Sequence, residues 1–468
     1  MARNKKRIIE EIVVTDFAAE GKCIIKLENE IVFVPGANIA PGDKVKLVIT
    51  KKKKSYSEGV VLEILEKSPI RIEHFCEHFG LCGGCKWQHI PYELQLEQKQ
   101  KQVGDQLKRI GKVDISNMSP ILPSKATTFY RNKLEFTFSK DKWMTKSEIA
   151  TGEEITDVAL GFHVPKRFDK ILPINKCHLQ ADPSNIIRNF VDELAKQKGY
   201  AYYDHNNHKG FLRTLMIRNT SIGQVMVCFQ FAQNNEEDIK FILDSLLAKV
   251  PEITSLFYFI NQKGNDSYYD LDPIHYKGLT YIEEKMEELT FRIGPKSFYQ
   301  TNSEQAYELY KVTRDFADIK ESDVVYDLYT GTGTIANFVA HKAKKVVGIE
   351  YVEEAIVDAV ENSKNNQIEN TSFYAGDLKA VLSDELFLKE GKPDVIITDP
   401  PRAGMDKEVV EQILKSGAKT VVYVSCNAAT QARDIALMDE KYSVEEIQPV
   451  DMFPHTHHVE NVVKLRLK

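Results

Sequence analysis

No apolar run in this sequence approaches the ~18–20 residues needed to span a bilayer. Nor does its start hold a signal-peptide core: the basic stretch Met1-Ala-Arg-Asn-Lys-Lys-Arg leads straight into Ile8-Ile-Glu-Glu. Together these absences make a cytoplasmic location, with no membrane partner, the expectation. Cysteine is scarce, at seven in 468 residues. In a reducing compartment such thiols serve as metal ligands, nucleophiles or core residues rather than in disulfides. An excess of positive charge is also missing, the formal net charge being −6. That excludes a protein basic all over but leaves nucleic-acid binding open, because affinity follows local basic patches that face phosphates. What is present, 43% hydrophobic and 28% charged residues, is the balance of a globular chain, and its length calls for several domains.

Residues 1–67 alternate between short β-rich runs and turn signals. Ile12-Val-Val-Thr, Lys22-Cys-Ile-Ile-Lys-Leu, Ile31-Val-Phe-Val, Lys44-Val-Lys-Leu-Val-Ile and Gly59-Val-Val-Leu-Glu-Ile-Leu are five candidate strands, separated by Glu20-Gly21, Pro35-Gly36 and Pro41-Gly-Asp43. Strands so short and closely spaced read as a small OB-type β-barrel. Lys51 to Lys54 form a lysine run before the last strand, either a solvated loop or a phosphate-contacting one.

Residues 68–288 form a central α+β region that opens on Cys76-x5-Cys82-x2-Cys85. This spacing puts three thiolates within reach of one ion or cluster, and Gly83-Gly84 lets the backbone wrap it. Structural zinc and iron–sulfur clusters both usually take four ligands. The best fourth is Cys177, in the proline-bounded loop Pro173-Ile-Asn-Lys-Cys, and either metal suits the set. Cys23 and Cys228 sit in strand-like runs and read as core. Tyr92 to Ile110 has the composition of an exposed amphipathic connector helix, with Glu97 and Lys101 at helical pair spacing and packing against the C-terminal domain left open to it. The β-rich remainder carries Arg131, Asn132, Lys133, Arg213 and Arg218 among aromatics. Such residues either contact phosphates and unpaired bases or are ordinary solvated charges.

From residue 289 to 468 strand and helix signals alternate, and seven strands are expected; if the last is antiparallel, the loop before it borders the sheet's carboxyl edge. This is a doubly wound α/β, Rossmann-like domain, whose ligands bind outside the carboxyl ends of its strands. The first strand ends in Asp327-Leu-Tyr-Thr-Gly331-Thr-Gly333-Thr334, a tight glycine turn opening a helix. Glu350 ends the second strand, where an acid accepts ribose hydroxyls; Asp377 ends the third, where it could face an adenine edge; Asp399 ends the fourth. The third glycine of a pyrophosphate-binding G-x-G-x-x-G is absent, so a nucleoside without phosphates, S-adenosylmethionine, fits better than a dinucleotide. Thr420-Val-Val-Tyr-Val-Ser-Cys426 is a buried strand that ends in a thiol at the same edge. On that stretch alone an inert core cysteine is the ordinary reading.

The strand end D-x-x-x-G-x-G resembles the class I methyltransferases. Within that class Asp399-Pro-Pro-Arg402 lacks the aromatic residue of adenine-amino enzymes and the cysteine of RNA cytosine-C5 enzymes, which leaves Cys426 as the only thiol at the sheet's edge. Uracil C5 chemistry needs such a thiol at carbon 6 and a base for the carbon 5 proton, for which Glu460 is the candidate. His455, His457 and His458, in the loop before it, read as structural or substrate-positioning rather than metal-binding. The C-x5-C-x2-C set, Phe298-Tyr-Gln300-Thr-Asn302, D-L-Y-T-G-T-G-T, D-P-P-R-A-G, S-C-N and H-V-E together resemble the RNA uracil-C5 methyltransferase family, specifically its iron–sulfur 23S ribosomal RNA members with an N-terminal TRAM domain. The resemblance implies that Gln300, Tyr329, Thr334, Glu350, Asp377 and Asp399 contact S-adenosylmethionine, with Thr330 and Thr334 standing where relatives often have cysteine and asparagine. It also implies that Cys426 is the nucleophile and Glu460 the base. Cys76, Cys82, Cys85 and Cys177 would hold a [4Fe–4S] cluster, and 23S ribosomal RNA would be the partner. The same chemistry on transfer RNA is the nearest rival. A radical iron–sulfur enzyme and a non-catalytic iron–sulfur RNA-binding protein are rivals from other classes. Retention of both Cys426 and Glu460 disfavours the last of these.

Overall fold

The computed structural model describes residues 7–152, 157–165, 167 and 169–468; the basic start of the chain up to Lys6 lies outside them. The N-terminal barrel has strands β1 (Ile8–Val13), β2 (Asp16–Ala18), β3 (Lys22–Leu27), β4 (Glu30–Pro35), β5 (Lys44–Lys52) and β6 (Ser57–Glu66) in the order β1-β5-β6-β4-β3-β2. The sequence reading is one strand short, because a three-residue β2 is too brief to show an alternation. Cys23, Ile25, Val32, Val34, Val45 and Leu47 fill the interior, and Trp87 and Ile90 from the following segment complete it. Lys51 and Lys52 belong to β5, and all four lysines of that run are exposed.

Helix α1 (Tyr92–Arg109) departs from the exposed connector expected of it. Gln95, Lys99, Val103 and Leu107 recur every fourth residue, share one face and are all buried. Val103 and Leu107 join the hydrophobic core of the C-terminal sheet. Lys101 pairs with Asp16 of the barrel at 2.6 Å rather than with Glu97.

The central region is built from β7 (Lys133–Ser139), α2 (Lys146–Ala150), β8 (Ala159–His163), β9 (Ile171–Pro173), α3 (Ser184–Lys198), β10 (Leu212–Asn219), β11 (Val225–Phe231), α4 (Glu236–Lys249), β12 (Ser255–Ile260) and β13 (Ile274–Gly278). Its strands form one sheet, β13-β12-β11-β10-β7-β8-β9. One side packs with α3 and α4, while Met216, Met226, Cys228, Phe257 and Phe259 join a core shared with the C-terminal domain. Burial on both sides changes the meaning of its arginines. Arg213 donates to the carbonyls of Asn261, Lys263 and Asn265 at 2.7–2.8 Å, pairs with Asp266, and lies over the Tyr203 ring. Arg218 is buried and donates to the Ser297 carbonyl at 3.1 Å. Both hold loops together, so phosphate contact is corrected to an internal role. Asn132 likewise turns inward, donating to the Gln300 carbonyl and Ser303 Oγ at 2.8 Å.

A hairpin, β14 (Ile282–Met286) with β15 (Leu289–Ile293), leads into α5 (Ser303–Ala317), which Asn302 caps by accepting the Gln305 N–H. Then follow β16 (Val324–Leu328), α6 (Thr334–Val339), β17 (Lys345–Glu350), α7 (Glu353–Asn365), β18 (Thr371–Ala375), α8 (Leu378–Val381), α9 (Asp384–Glu390), β19 (Val395–Thr398), α10 (Lys407–Ser416), β20 (Thr420–Ser425), α11 (Ala428–Met438), β21 (Tyr442–Val450) and β22 (Glu460–Leu467). The seven strands run β18-β17-β16-β19-β20-β22-β21, parallel except β22, which is antiparallel to both neighbours. Every residue of β19 and β20 is buried, as central strands covered on two faces require. No helix among the described residues is long and apolar enough to cross a membrane.

Candidate active site

The reversal of β22 brings Cys426 and Glu460, the candidate nucleophile and base, to the same edge. Its register with β20 runs from Thr420 opposite Arg466 to Ser425 opposite Asn461, and one step further places Cys426 opposite Glu460. Residues facing each other across an antiparallel pair stand about 5 Å apart at Cβ. Cys426 is half-buried and Glu460 buried. Desolvation, then the nearby Glu460 and Asp399 carboxylates, push the Cys426 thiol up to about 11, while Arg402 pulls it down. Desolvation and Asp399 likewise raise Glu460 to about 8, again opposed by Arg402. Burial lifts Asp399 to about 7. The edge therefore holds three acids raised by burial, and one guanidinium that favours the ionised forms of Cys426 and Glu460 against the neighbouring carboxylates.

Arg402 is exposed, and its Nη2 lies 3.0 Å from His458 Nδ1. Its loop is held from α11: Asn427 Nδ2 and Thr430 Oγ1 both donate to the Arg402 carbonyl. Gly404 follows at φ +79, where an added Cβ would lie 2.6 Å from both Arg433 Nη2 and Asp434 Oδ2. Burial pushes His458 and His455 down to about 4 and His457 to about 3, which keeps all three rings neutral. His455 lies 3.2 Å from Gln95 Nε2 through its Nδ1 and packs edge-on against the Phe75 ring.

Around the carboxyl ends of β16 to β19 stand the other residues expected to touch a cofactor. Gly333 caps α6 at φ +74, and a Cβ there would meet Ala359 Cβ at 2.8 Å, so the turn accepts only glycine. Glu350 Oε2 accepts the Gly331 N–H at 3.1 Å and Oε1 the Val352 N–H at 3.0 Å, leaving further lone pairs open to the crevice. Asp327 Oδ2 accepts from Thr330 Oγ1 at 2.5 Å, whereas its buried Oδ1 has no partner. Tyr329 is half-buried at φ +63, directly after β16. Gln300 is half-buried beside the hydroxyl of Tyr310, a fully enclosed residue also close to Asp399. Sequence reading missed Tyr310, since on α5 it falls at a core position. Thr334 is buried, with its hydroxyl 3.3 Å from that of Thr332. Asp377 is exposed and caps α8 through the Lys379 N–H at 3.0 Å. An unpartnered acid oxygen, an acid ending β17 and a glycine turn suit the hydroxyls and amino groups of a nucleoside.

The four cysteines line a second cavity of about 370 Å³, together with His78, Gln88, Arg131 and His178. Burial raises all four thiols, Cys82 to about 11 and Cys85 to about 12. Among the described residues no three His, Cys, Asp or Glu side chains are gathered closely enough to hold a single metal ion. The donor set of four thiols on one cavity nevertheless fits a thiolate-ligated centre, whose positive charge would favour the ionised form that burial disfavours.

Comparison with known proteins bears on both sites. A tRNA (uracil-5-)-methyltransferase family model matches residues 277–468, and a TRAM domain model matches residues 5–62. An uncharacterized RNA methyltransferase of Bacteroides thetaiotaomicron is 53% identical over 455 residues, 96% of this chain and 100% of that one. One from Chlorobaculum tepidum is 37% identical over 98% of this chain and 96% of its own. Among solved structures, the Pyrococcus abyssi tRNA (uracil-54, C5)-methyltransferase in complex with S-adenosyl-L-homocysteine aligns over 97% of this chain and 100% of that chain, with a TM-score of 0.73 and 27% identity.

Proposed function

This chain belongs to the RNA (uracil-5-)-methyltransferase family, and we propose that it methylates carbon 5 of a uridine in RNA through a covalent adduct with Cys426. The observation that carries the reading is the β20–β22 register, which ends with Ser425 opposite Asn461 and so leaves Cys426 and Glu460, the next residue of each strand's run, as neighbours at the carboxyl edge of a methyltransferase sheet. The target base must be unpaired or flipped from its stack for a thiol to reach its ring. The Cys426 thiolate adds to carbon 6, and the resulting enolate carries its negative charge to carbon 5. When bound beside Glu350 and Asp399, S-adenosylmethionine supplies the methyl group that carbon 5 attacks, and its sulfonium charge favours the ionised acids. Glu460, as carboxylate, then takes the carbon 5 proton. The carbon 6–sulfur bond breaks, the ring double bond returns, and the thiolate is regenerated.

Gln300, Tyr329, Thr334, Asp377 and Asp399 line the proposed cofactor side with Glu350. Cys76, Cys82, Cys85 and Cys177 hold a [4Fe–4S] cluster, which the four-thiol cavity supports and which stands apart from methyl transfer. For the RNA, 23S ribosomal RNA is the first reading. Transfer RNA is the second, favoured by the full-length likeness to the Pyrococcus enzyme.

Tritium release from [5-³H]uridine tests the reading, with unmodified 23S ribosomal RNA and transfer RNA transcripts supplied separately. Release should require S-adenosylmethionine, appear with one transcript, and vanish in Cys426→Ala. Full activity in that variant would sink the nucleophile assignment.

A further inference from the structure

The loop from Asp451 to Val459 carries the chain from β21 into Glu460, and its restraints come mostly from outside the C-terminal sheet. Lys99 of α1 is completely buried, as is Asp451. Its Nζ donates to Asp451 Oδ1 at 2.6 Å and to the Phe453 carbonyl at 3.0 Å. Tyr92, about two turns earlier on the same helix, donates its hydroxyl to Asp451 Oδ2 at 2.7 Å and accepts the Ser124 N–H at 2.8 Å. Between them Gln95 accepts the His455 N–H at 2.8 Å through Oε1, while its Nε2 donates to the Trp87 carbonyl at 3.0 Å. Just before the helix, the Lys86 and Trp87 N–H groups both donate to the His455 carbonyl, at 2.8 and 3.1 Å. Tyr130 Oη donates to the Pro454 carbonyl at 2.9 Å.

A fully buried lysine–aspartate pair is a poor stabiliser, because desolvating two charges offsets their attraction. Its geometric strength lies in direction: Lys99 holds a side chain and a main-chain carbonyl of the same loop at once. The residue that follows this loop is the one that stands opposite Cys426.

We propose that α1 positions the base: Lys99, with Asp451 and Tyr92, fixes the loop 451–459 so that Glu460 faces carbon 5 of the adduct formed on Cys426. This rests on the assignment of Glu460 as base. Lys99, Asp451 and Tyr92 are positioning residues, acting through Glu460 and touching no reacting atom. Loosening the loop therefore slows proton removal and leaves thiolate addition and methyl transfer in place, so the methylated adduct should build up.

The test compares Lys99→Met, Lys99→Arg, Tyr92→Phe and Glu460→Gln with wild type, on whichever of the 23S ribosomal or transfer RNA transcripts wild type methylates. Two readouts are taken from denaturing gels: adduct on ordinary RNA, and adduct on the same transcript made with 5-fluorouridine, which is trapped without needing a base. Lys99→Met should trap 5-fluorouridine RNA as wild type does, accumulate adduct on ordinary RNA, and turn over at least tenfold more slowly with little change in KM. Tyr92→Phe keeps the ion pair and should show the same pattern more weakly; Lys99→Arg should recover part of the turnover. Two results would overturn the inference while Glu460→Gln accumulates adduct: wild-type turnover in both Lys99→Met and Tyr92→Phe, or loss of 5-fluorouridine trapping in step with turnover in a variant that still melts cooperatively. Absence of adduct in Glu460→Gln itself would remove the base assignment and the inference with it.

Discussion

Cysteine stands in two settings in this chain, and the contrast lies in what surrounds each thiol. Burial raises Cys426 as it raises the four thiols of the central cavity. Around Cys426 the charged neighbours are Glu460, Asp399 and one cation, Arg402. Around Cys177 they are Arg188 and Arg131, both of which favour its ionised form. Cys426 stands among acids with one cation near it, whereas Cys76, Cys82 and Cys85 have one another and Cys177 as neighbours, and Cys177 alone of the four has arginines beside it. Scarcity of a residue type thus says little about its task; its charged neighbours say more.

The sharpest way to break this contrast is to exchange the losses. Cys85→Ser and Cys177→Ser should lower bound iron and sulfide from about four of each per chain toward none, with Cys426→Ser leaving both unchanged; metal analysis of anaerobically prepared protein checks this. Stoichiometric zinc in place of iron would overturn the cluster assignment. A smaller effect is expected at Glu460. As its carboxylate is the active form and its pKa stands near 8, kcat/KM should climb as pH rises through that value, and Glu460→Gln should lose about 10²–10⁴-fold. Arg402→Ala, which removes the one cation favouring both the thiolate and the Glu460 carboxylate, should move the rising limb to higher pH by about one unit, a tenfold loss near neutrality. An unmoved limb would mean that Arg402 acts on substrate alone.

Stability should follow pH in the opposite sense to activity. Asp327 and Asp399 rise to about 7 and Glu460 to about 8 in the folded protein. Raised carboxyl groups contribute stability that is complete below their unfolded values, near ~4, and is lost as pH climbs through the folded ones. The ligand-free melting temperature should therefore fall from pH 6 to pH 8.5, and fall less in Glu460→Gln. Thermal melts across that range measure the difference.

Much of the catalytic sheet was legible because its strands are central and buried on both faces, so each reads as an apolar run ending in a polar residue. Asp399 after Val395–Thr398 and Cys426 after Thr420–Ser425 are such ends. The β2 strand was not legible at three residues, nor was the inward role of Arg213 and Arg218. A cation on a strand looks the same whether its sheet faces water or a second domain. Lys99 was hidden for a related reason: the Gln95, Lys99, Val103, Leu107 ladder mixes polar with apolar, and only a partner such as Asp451 makes the polar half buryable. Asp451 itself ends a strand in the same manner as Glu350 and Asp399, and that pattern could have drawn attention to it.

By itself, then, the sequence determined the element types, the reactive residues and the strand ends at which they stand, since these depend on local periodicity and on spacing along the chain. Tertiary structure alone decided that Cys426 faces Glu460, that four cysteines share one cavity, and that a helix far upstream holds the loop before the base. Each of those depends on contacts between segments remote in sequence, and burial there sets the charge that each side chain can carry.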